Sequence, residues 1–204
     1  MTTLVQPRLL GLAEDIAATV RQAARSRYGP ECTCQLADPT DVPWWFVPRL
    51  TAYADSLGYP VRYPPLIGGD PEIRGQTPRR VTRDPYTGTM LTIPGPIEVK
   101  ASLSPSEVAH TLAHEVTHAW LTVHQPGFVI SREALACHQA YGEFPAEEFI
   151  ADLTSTLVNN AAGIIRPART CYLSDREAIL PGLTRDCPAL AAAIADEIAA
   201  NIVP

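Results

Sequence analysis

The stretch HEVTHAWLTVH, His114 to His124, sets three imidazoles and one carboxylate within eleven residues. His114 and His118 stand four apart, which on a helix stacks them on one face, so both rings can reach a single metal ion. Glu115 is turned about 100° round the helix from His114. It does not share their coordination direction and instead addresses a water held in an open position of the metal. Zinc lowers the pKa of such a water to about 7, and a nearby carboxylate takes its proton as the water attacks a carbonyl. These residue types at these spacings are those of a zinc hydrolase, one zinc per chain, with Glu115 as the catalytic carboxylate. The plain alternative is two core histidines meeting by chance. The apolar neighbours Leu112, Ala113, Val116, Ala119 and Trp120 favour the metal reading, because they put the motif on a helix half buried beneath a cleft.

Two candidates compete to complete the site. His124 stands where a longer motif, H-E-x-x-H-x-x-G-x-x-H, has its third ligand. The position that requires glycine there is Leu121, and leucine disfavours the positive-φ turn that swings the chain back to the metal. That class also needs a methionine turn after the site, and the only methionines, Met1 and Met90, lie upstream. His124 reads instead as a helix-end residue suited to the dipole. The second candidate is EFPAEEFIADLTS. A second helix can bring a glutamate to the metal, giving a two-His-one-Glu set. Glu148 has Asp152 four residues on, so one helical stripe supplies a ligand and a carboxylate to hold a ligating imidazole by its other nitrogen. Glu147 is the competing candidate for the same ligand position, but it has Ala151 at that place and fits a solvated first-turn acid favoured by the helix dipole. His110, one turn before His114, reads as a cleft residue behind the ligands. The developing oxyanion needs the metal and a further donor. His138, Tyr141 and Tyr172 are candidates, and the sequence does not choose among them.

These side chains need elements to hold them. SPSE, from Ser104, starts a helix: Ser104 as N-cap, Pro105 at the first position, Glu107 three residues after the cap. It should run to about QPG, 125–127. A second strong helix spans Pro145 to about Ala162, with Gly163 past its end. Earlier, 4–28 reads as a helix with Leu9, Leu12, Ile16 and Val20 at helical spacing, and 44–57 as another with Gly58 as its stop. Residues 59–100 read as extended: YPVRY, then RRVT and MLTI joined by RDPYTG, which has hairpin chemistry. Either RRVTR or MLTIPG could supply an edge strand that aligns an extended peptide at the metal. A helix over part of 129–141, a second capping box at SDRE (174–177), and a final alanine-rich helix with Leu190, Ile194 and Ile198 on one face complete the reading. Residues 1–45 are expected as a helix-and-loop appendage to a domain over 46–204.

Composition excludes several classes. The formal net charge is −6 over 204 residues, too acidic for a strong nucleic-acid binder. Arg74, Arg79, Arg80 and Arg83 form a basic cluster that reads as a solvated hairpin face, and Trp44, Trp45 and Phe46 as a helix start packed on the body. No apolar run approaches a membrane span, and charged residues interrupt the N-terminal segment, so no signal peptide and a cytoplasmic setting are expected. The five cysteines are then expected as thiols. Cys32 and Cys34 lack a matching pair, and the spacing of Cys137, Cys171 and Cys187 carries no disulfide framework.

RDPYTGTMLTIPGPIEVKASLSPSEVAHTLAHEVTHAW resembles the zincin-like metallopeptidase domain of ArdC-type antirestriction proteins, in which a strand ending in proline leads into the HExxH helix. FPAEEFIADLTSTLVNNAAGI resembles their second helix, and CYLSDREAILPGLTRDCPALAAAIADEIAANIV their C-terminal segment. The likeness covers about residues 80–202. It implies an α+β zincin with a small, mostly antiparallel sheet beside the active-site helix, zinc on His114, His118 and Glu148, and a peptide or protein substrate. Residues 1–45 are shorter and less basic than the single-stranded-DNA-binding domain those proteins carry, so weak or no nucleic-acid binding is expected. A looser likeness is to ImmA/IrrE-type regulatory proteases. The alternative function is an ArdC-like antirestriction or binding module whose zinc is structural or vestigial.

Overall fold

The computed structural model describes residues 7–25, 42–83, 90–129, 140, 144–165 and 168–204. It is an α+β structure in which helices enclose the helix that carries HEVTH. That helix, α3 (Pro105–His124), begins as its sequence requires: Ser104 is extended, its side chain accepts from Glu107 N, and Glu107 reaches back to the Ser104 N–H. Such reciprocal capping satisfies donors that a helix N-terminus otherwise leaves open. From Ala109 to Thr122 almost every side chain of α3 is buried, so both faces need cover.

One cover is a small sheet. Strand β1 (Val61–Arg62) pairs in parallel with β5 (Ile97–Val99), and β5 pairs antiparallel with β2 (Gly75–Gln76), giving the order β1-β5-β2. Ile97 and Val99 are fully buried in the core shared with α3 while Glu98 between them is half-buried, the alternation of a strand with one covered face. Strands β3 (Arg79–Arg83) and β4 (Met90–Pro94) form a separate antiparallel pair. The expected mostly antiparallel sheet is therefore corrected. The sheet beside α3 is mixed, because β1 reaches β5 only after a long connection through the intervening strands.

The other cover is helical. α5 (Pro145–Ala161) packs along α3, and its far side meets α8 (Pro188–Ile202). α2 (Phe46–Ser56) closes one flank of α3, and α6 (Thr170–Ile179) lies against α5. The short helices α4 (Pro126–Val129) and α7 (Leu183–Asp186) link the longer ones. α1 (Pro7–Arg25) packs on α6 and α8, and its covered stripe is Leu9, Ala13, Ala17 and Val20. Gly58 and Gly163 end α2 and α5 with φ of 86° and 80°, the left-handed geometry glycine tolerates.

Three further expectations are corrected. SDRE does not cap a helix: Ser174 lies inside α6 and its hydroxyl donates to Thr170 O, since the helix starts earlier, at Thr170. Phe46 is buried, but Trp44 is 87% exposed, so only part of the aromatic run packs. Cys171 is disulfide-bonded, whereas Cys187 is a buried free thiol whose pKa burial raises to about 12. This sets Cys171 against the expectation of thiols. Cys32, Cys34, Cys137, the hairpin loop after Arg83 and most of the helix expected over 129–141 lie outside the described residues. No described helix is long and apolar enough to cross a membrane.

Replacing Ser104 by alanine should lower stability by about 1 kcal/mol, read as a shifted urea midpoint at unchanged slope. In unreduced protein, iodoacetamide should leave Cys171 unlabelled and reach Cys187 only after unfolding, as peptide mass mapping would show.

Candidate metal centre

The packing of α5 on α3 brings two imidazoles and a carboxylate together. His114, His118 and Glu148 each offer one donor atom, and these atoms lie within 4.8 Å of one another. His118 Nε2 is 3.0 Å from His114 Nε2. Glu148 Oε2 is 3.3 Å from His114 Nε2, and Oε1 is 3.5 Å from His118 Nε2. A tetrahedral ion with bonds of about 2.0–2.1 Å separates its ligand atoms by about 3.3 Å. The donor set and its spacing fit a metal ion, and the group can hold one.

The neighbouring glutamates address the same imidazole from two sides because consecutive helical residues diverge by about 100°. Glu148 faces Nε2, while Glu147 Oε1 accepts from His118 Nδ1 at 2.7 Å. That bond keeps the proton on Nδ1 and leaves Nε2 for a metal. Glu147 is only 3% exposed, so the reading of it as a solvated acid is corrected: α3 packs over it and His118 takes its carboxylate. Burial alone would lower the His118 pKa; the Glu148 and Glu147 carboxylates outweigh it and raise it to about 9.

Asp152 does not play the part its spacing implied. Its Oδ1 is 4.0 Å from His114 Nδ1, too far for a hydrogen bond. It accepts instead from His110 Nε2 and Arg169 Nη1, both at 3.3 Å. Burial pushes this carboxyl upward, but His110 and Arg169 outweigh it and hold it below its ordinary value. His110 is also bonded to Ser155 and lines the cleft.

Tyr172 enters from α6 and donates to Glu148 Oε2 at 2.6 Å. Burial and the Glu148 carboxylate raise its pKa, so the phenol keeps its proton, and that proton is engaged with the ligand rather than aimed into open space. Burial also opposes the Glu148 charge, but His118, His114 and this hydroxyl hold Glu148 well below the carboxylate range. His124 sits exposed in the last turn of α3, stacked on Trp120 at 4.7 Å, away from the donor group. His138 and Tyr141 lie outside the described residues.

Glu115 is buried beside the triad without belonging to it. Burial raises its pKa above the usual carboxylate value, partly offset by His114, His118 and a bond from Thr77. Thr77 Oγ1 lies 2.8 Å from Glu115 Oε2 and 2.9 Å from Glu115 O. Gly75 lies over the same carboxylate: a Cβ there would overlap Thr111 Cγ2 and fall 2.8 Å from Glu115 Oε1. Neither residue was singled out from the sequence. RGQTP lies 38 residues before Glu115 at Thr77, and the glycine alone gave no pairing signal.

A cleft of about 680 Å³ opens over these groups. One wall is Ile73 to Thr77, including the sheet-end strand β2; the other includes Phe144, Arg169 and Tyr172. β2 supplies the strand in the described lining of the cleft, and β3 and β4, formed by RRVTR and MLTIP, pair only with each other among the described residues. Arg74 is not simply solvated: it lines the cleft and pairs with Glu107 at 3.2 Å.

No protein-family model, curated protein or solved structure matches the chain.

Glu148→Ala should weaken metal affinity far more than His124→Ala, because only Glu148 is among the converging donors. Glu147→Ala should weaken it by roughly 10–100-fold through loss of the imidazole's partner. Competition against a chromophoric chelator ranks all three; a worse His124 variant would overturn the assignment.

Proposed function

We propose that this chain is a zinc-dependent metallopeptidase of the zincin type, using His114, His118 and Glu148 as ligands and Glu115 as proton acceptor. The observation that carries the reading is Glu115 itself. A structural metal site needs no further acid, yet here a buried carboxylate lies against the ligands, outside their set, facing the cleft. Its position between Thr77 and Gly75 restricts it to one orientation.

Two histidines and a carboxylate leave a fourth position of a tetrahedral zinc open, the pattern of catalytic rather than structural sites. Zinc bound there would supply Lewis acidity and a lowered pKa for water. The chain's own residues do the rest. Glu115 takes a proton from the attacking water and returns it to the departing amine. Burial raises its pKa above the ordinary carboxylate value, which makes it a stronger base than an exposed glutamate. Glu147 holds His118 in the tautomer that presents Nε2. Tyr172 holds Glu148, so the carboxylate does not pivot toward solvent. Among the described residues β2 pairs with β5 along one edge only, and its surroundings line the cleft; a peptide in extended form can lie along such a strand. That shape supports a peptide substrate, and the net charge of −6 supports weak nucleic-acid binding at most.

Glu115→Gln should keep its zinc and its fold while losing peptide hydrolysis by about 100-fold or more. Chelation should abolish the wild-type activity, and added zinc should restore it. Metal analysis with a peptide-library assay decides: cleavage unchanged by Glu115→Gln at full zinc content would overturn the mechanism. Gly75→Ala should retain zinc but lower turnover, because the new methyl displaces either β2 or Glu115.

A further inference from the structure

We infer that Arg169 is the substrate-anchoring residue of this cleft and that it binds a carboxylate of the peptide. This inference rests on the metallopeptidase reading and names the class of substrate.

Most polar groups lining the cleft are already engaged, and two guanidinium groups keep N–H donors to spare: Arg74, 59% exposed and paired only with Glu107 among the described residues, and Arg169, which is fixed by both Asp152 and the Tyr172 ring. Glu147 is bonded to His118, Glu148 to Tyr172, Glu115 to Thr77 and Glu107 to Arg74. The Gln76 amide donates to Glu98 at 2.7 Å. Arg169 carries five N–H donors, and among the described residues it spends Nη1 on Asp152 Oδ1. Its side chain is 39% exposed and lines the cleft.

The guanidinium is also held in place. Asp152 is fully buried and cannot turn to water, so it keeps its cation close. The Arg169 Cζ lies 4.4 Å from the centre of the Tyr172 ring, and that ring's hydroxyl bonds to the ligand Glu148. Arg169 is therefore one side chain away from the donor triad, stacked on a ring that cannot move without disturbing it. A planar guanidinium fixed on one edge presents its remaining N–H groups as a fork, which matches a carboxylate bidentately. An anion seated there would place the adjoining peptide segment over Glu115 and the metal donors. The carboxylate can come from the C-terminus of the peptide or from an aspartate or glutamate side chain, and the chemistry at Arg169 is the same for both.

The test uses zinc-loaded Glu115→Gln protein, so that binding is read without turnover. Calorimetry compares three acetylated tetra-alanine probes: one with a free C-terminal carboxylate, one C-amidated, and one C-amidated with glutamate at the third position. At least one carboxylate-bearing probe should bind about tenfold or more tightly than the neutral probe, as expected for hydrogen bonds to a charged group. The preferred probe identifies the source. The preference should vanish when Arg169→Gln is added. Because that change can also disturb Asp152, Arg169→Lys serves as the second variant: it keeps a cation at Asp152 but loses the fork, and should bind the carboxylate probe about tenfold more weakly at full zinc content. Equal affinity for all three probes, no binding at millimolar concentration, or a preference that survives both substitutions would overturn the inference. A protein that takes up no zinc would instead strike the metallopeptidase reading.

Discussion

The structure depends on burying acids and imidazoles together between α3 and α5. Glu147, Asp152, His110 and His118 are each less than 9% exposed, and a charge taken out of water is costly unless paired and hydrogen-bonded. Each therefore has a partner across the helix interface: Glu147 on His118, Asp152 on His110. Pulling one helix away would strand several charges at once. This gives the α3–α5 contact one register in which all pairs are satisfied, and in that register the His114, His118 and Glu148 donors converge.

From that register the rest of the site follows. Glu148, half-exposed at the cleft floor, is steadied by Tyr172 from α6, and Tyr172 in turn lies between the guanidinium groups of Arg169 and Arg176 at 4.4 and 3.7 Å. On the opposite side, Gly75 and Thr77 bring the end strand onto Glu115. The proposed ligands thus rest on helix–helix packing, while the proposed base is restrained by the sheet. The two can be perturbed separately, which is why substitutions at Gly75 and at Glu147 have different expected effects on turnover and on metal affinity.

Much of this was legible in local patterns. The Ser104–Glu107 cap, the extent of α3, the start of α5 at Pro145 and its glycine stop are short-range chemistry. So is the i, i+4 placing of His114 and His118, and the disqualification of His124 by Leu121. The carboxylate stripe of α5 was visible too, but its parts were misassigned. Spacing marked Glu147 as a solvated acid and Asp152 as the imidazole's partner; in the fold, Glu147 has that contact and Asp152 turns to His110 and Arg169. SDRE shows the same limit, since a capping pattern has no force inside a helix that begins earlier.

By itself the sequence determined which residues can lie on one helical face, because that is set by a period of 3.6 residues and by the side chains that start and stop helices. Only the tertiary structure decided which atom of each side chain meets which partner. Glu147 and Glu148 differ by one residue, yet the crossing of α5 over α3 assigns them to opposite nitrogens of His118. Likewise the neighbours of Glu115 come from a strand about forty residues away, chosen because Gly75 lacks the methyl that would have kept that strand off. Long-range contacts of this kind arise from the shape of the packed surfaces, and no local period records them.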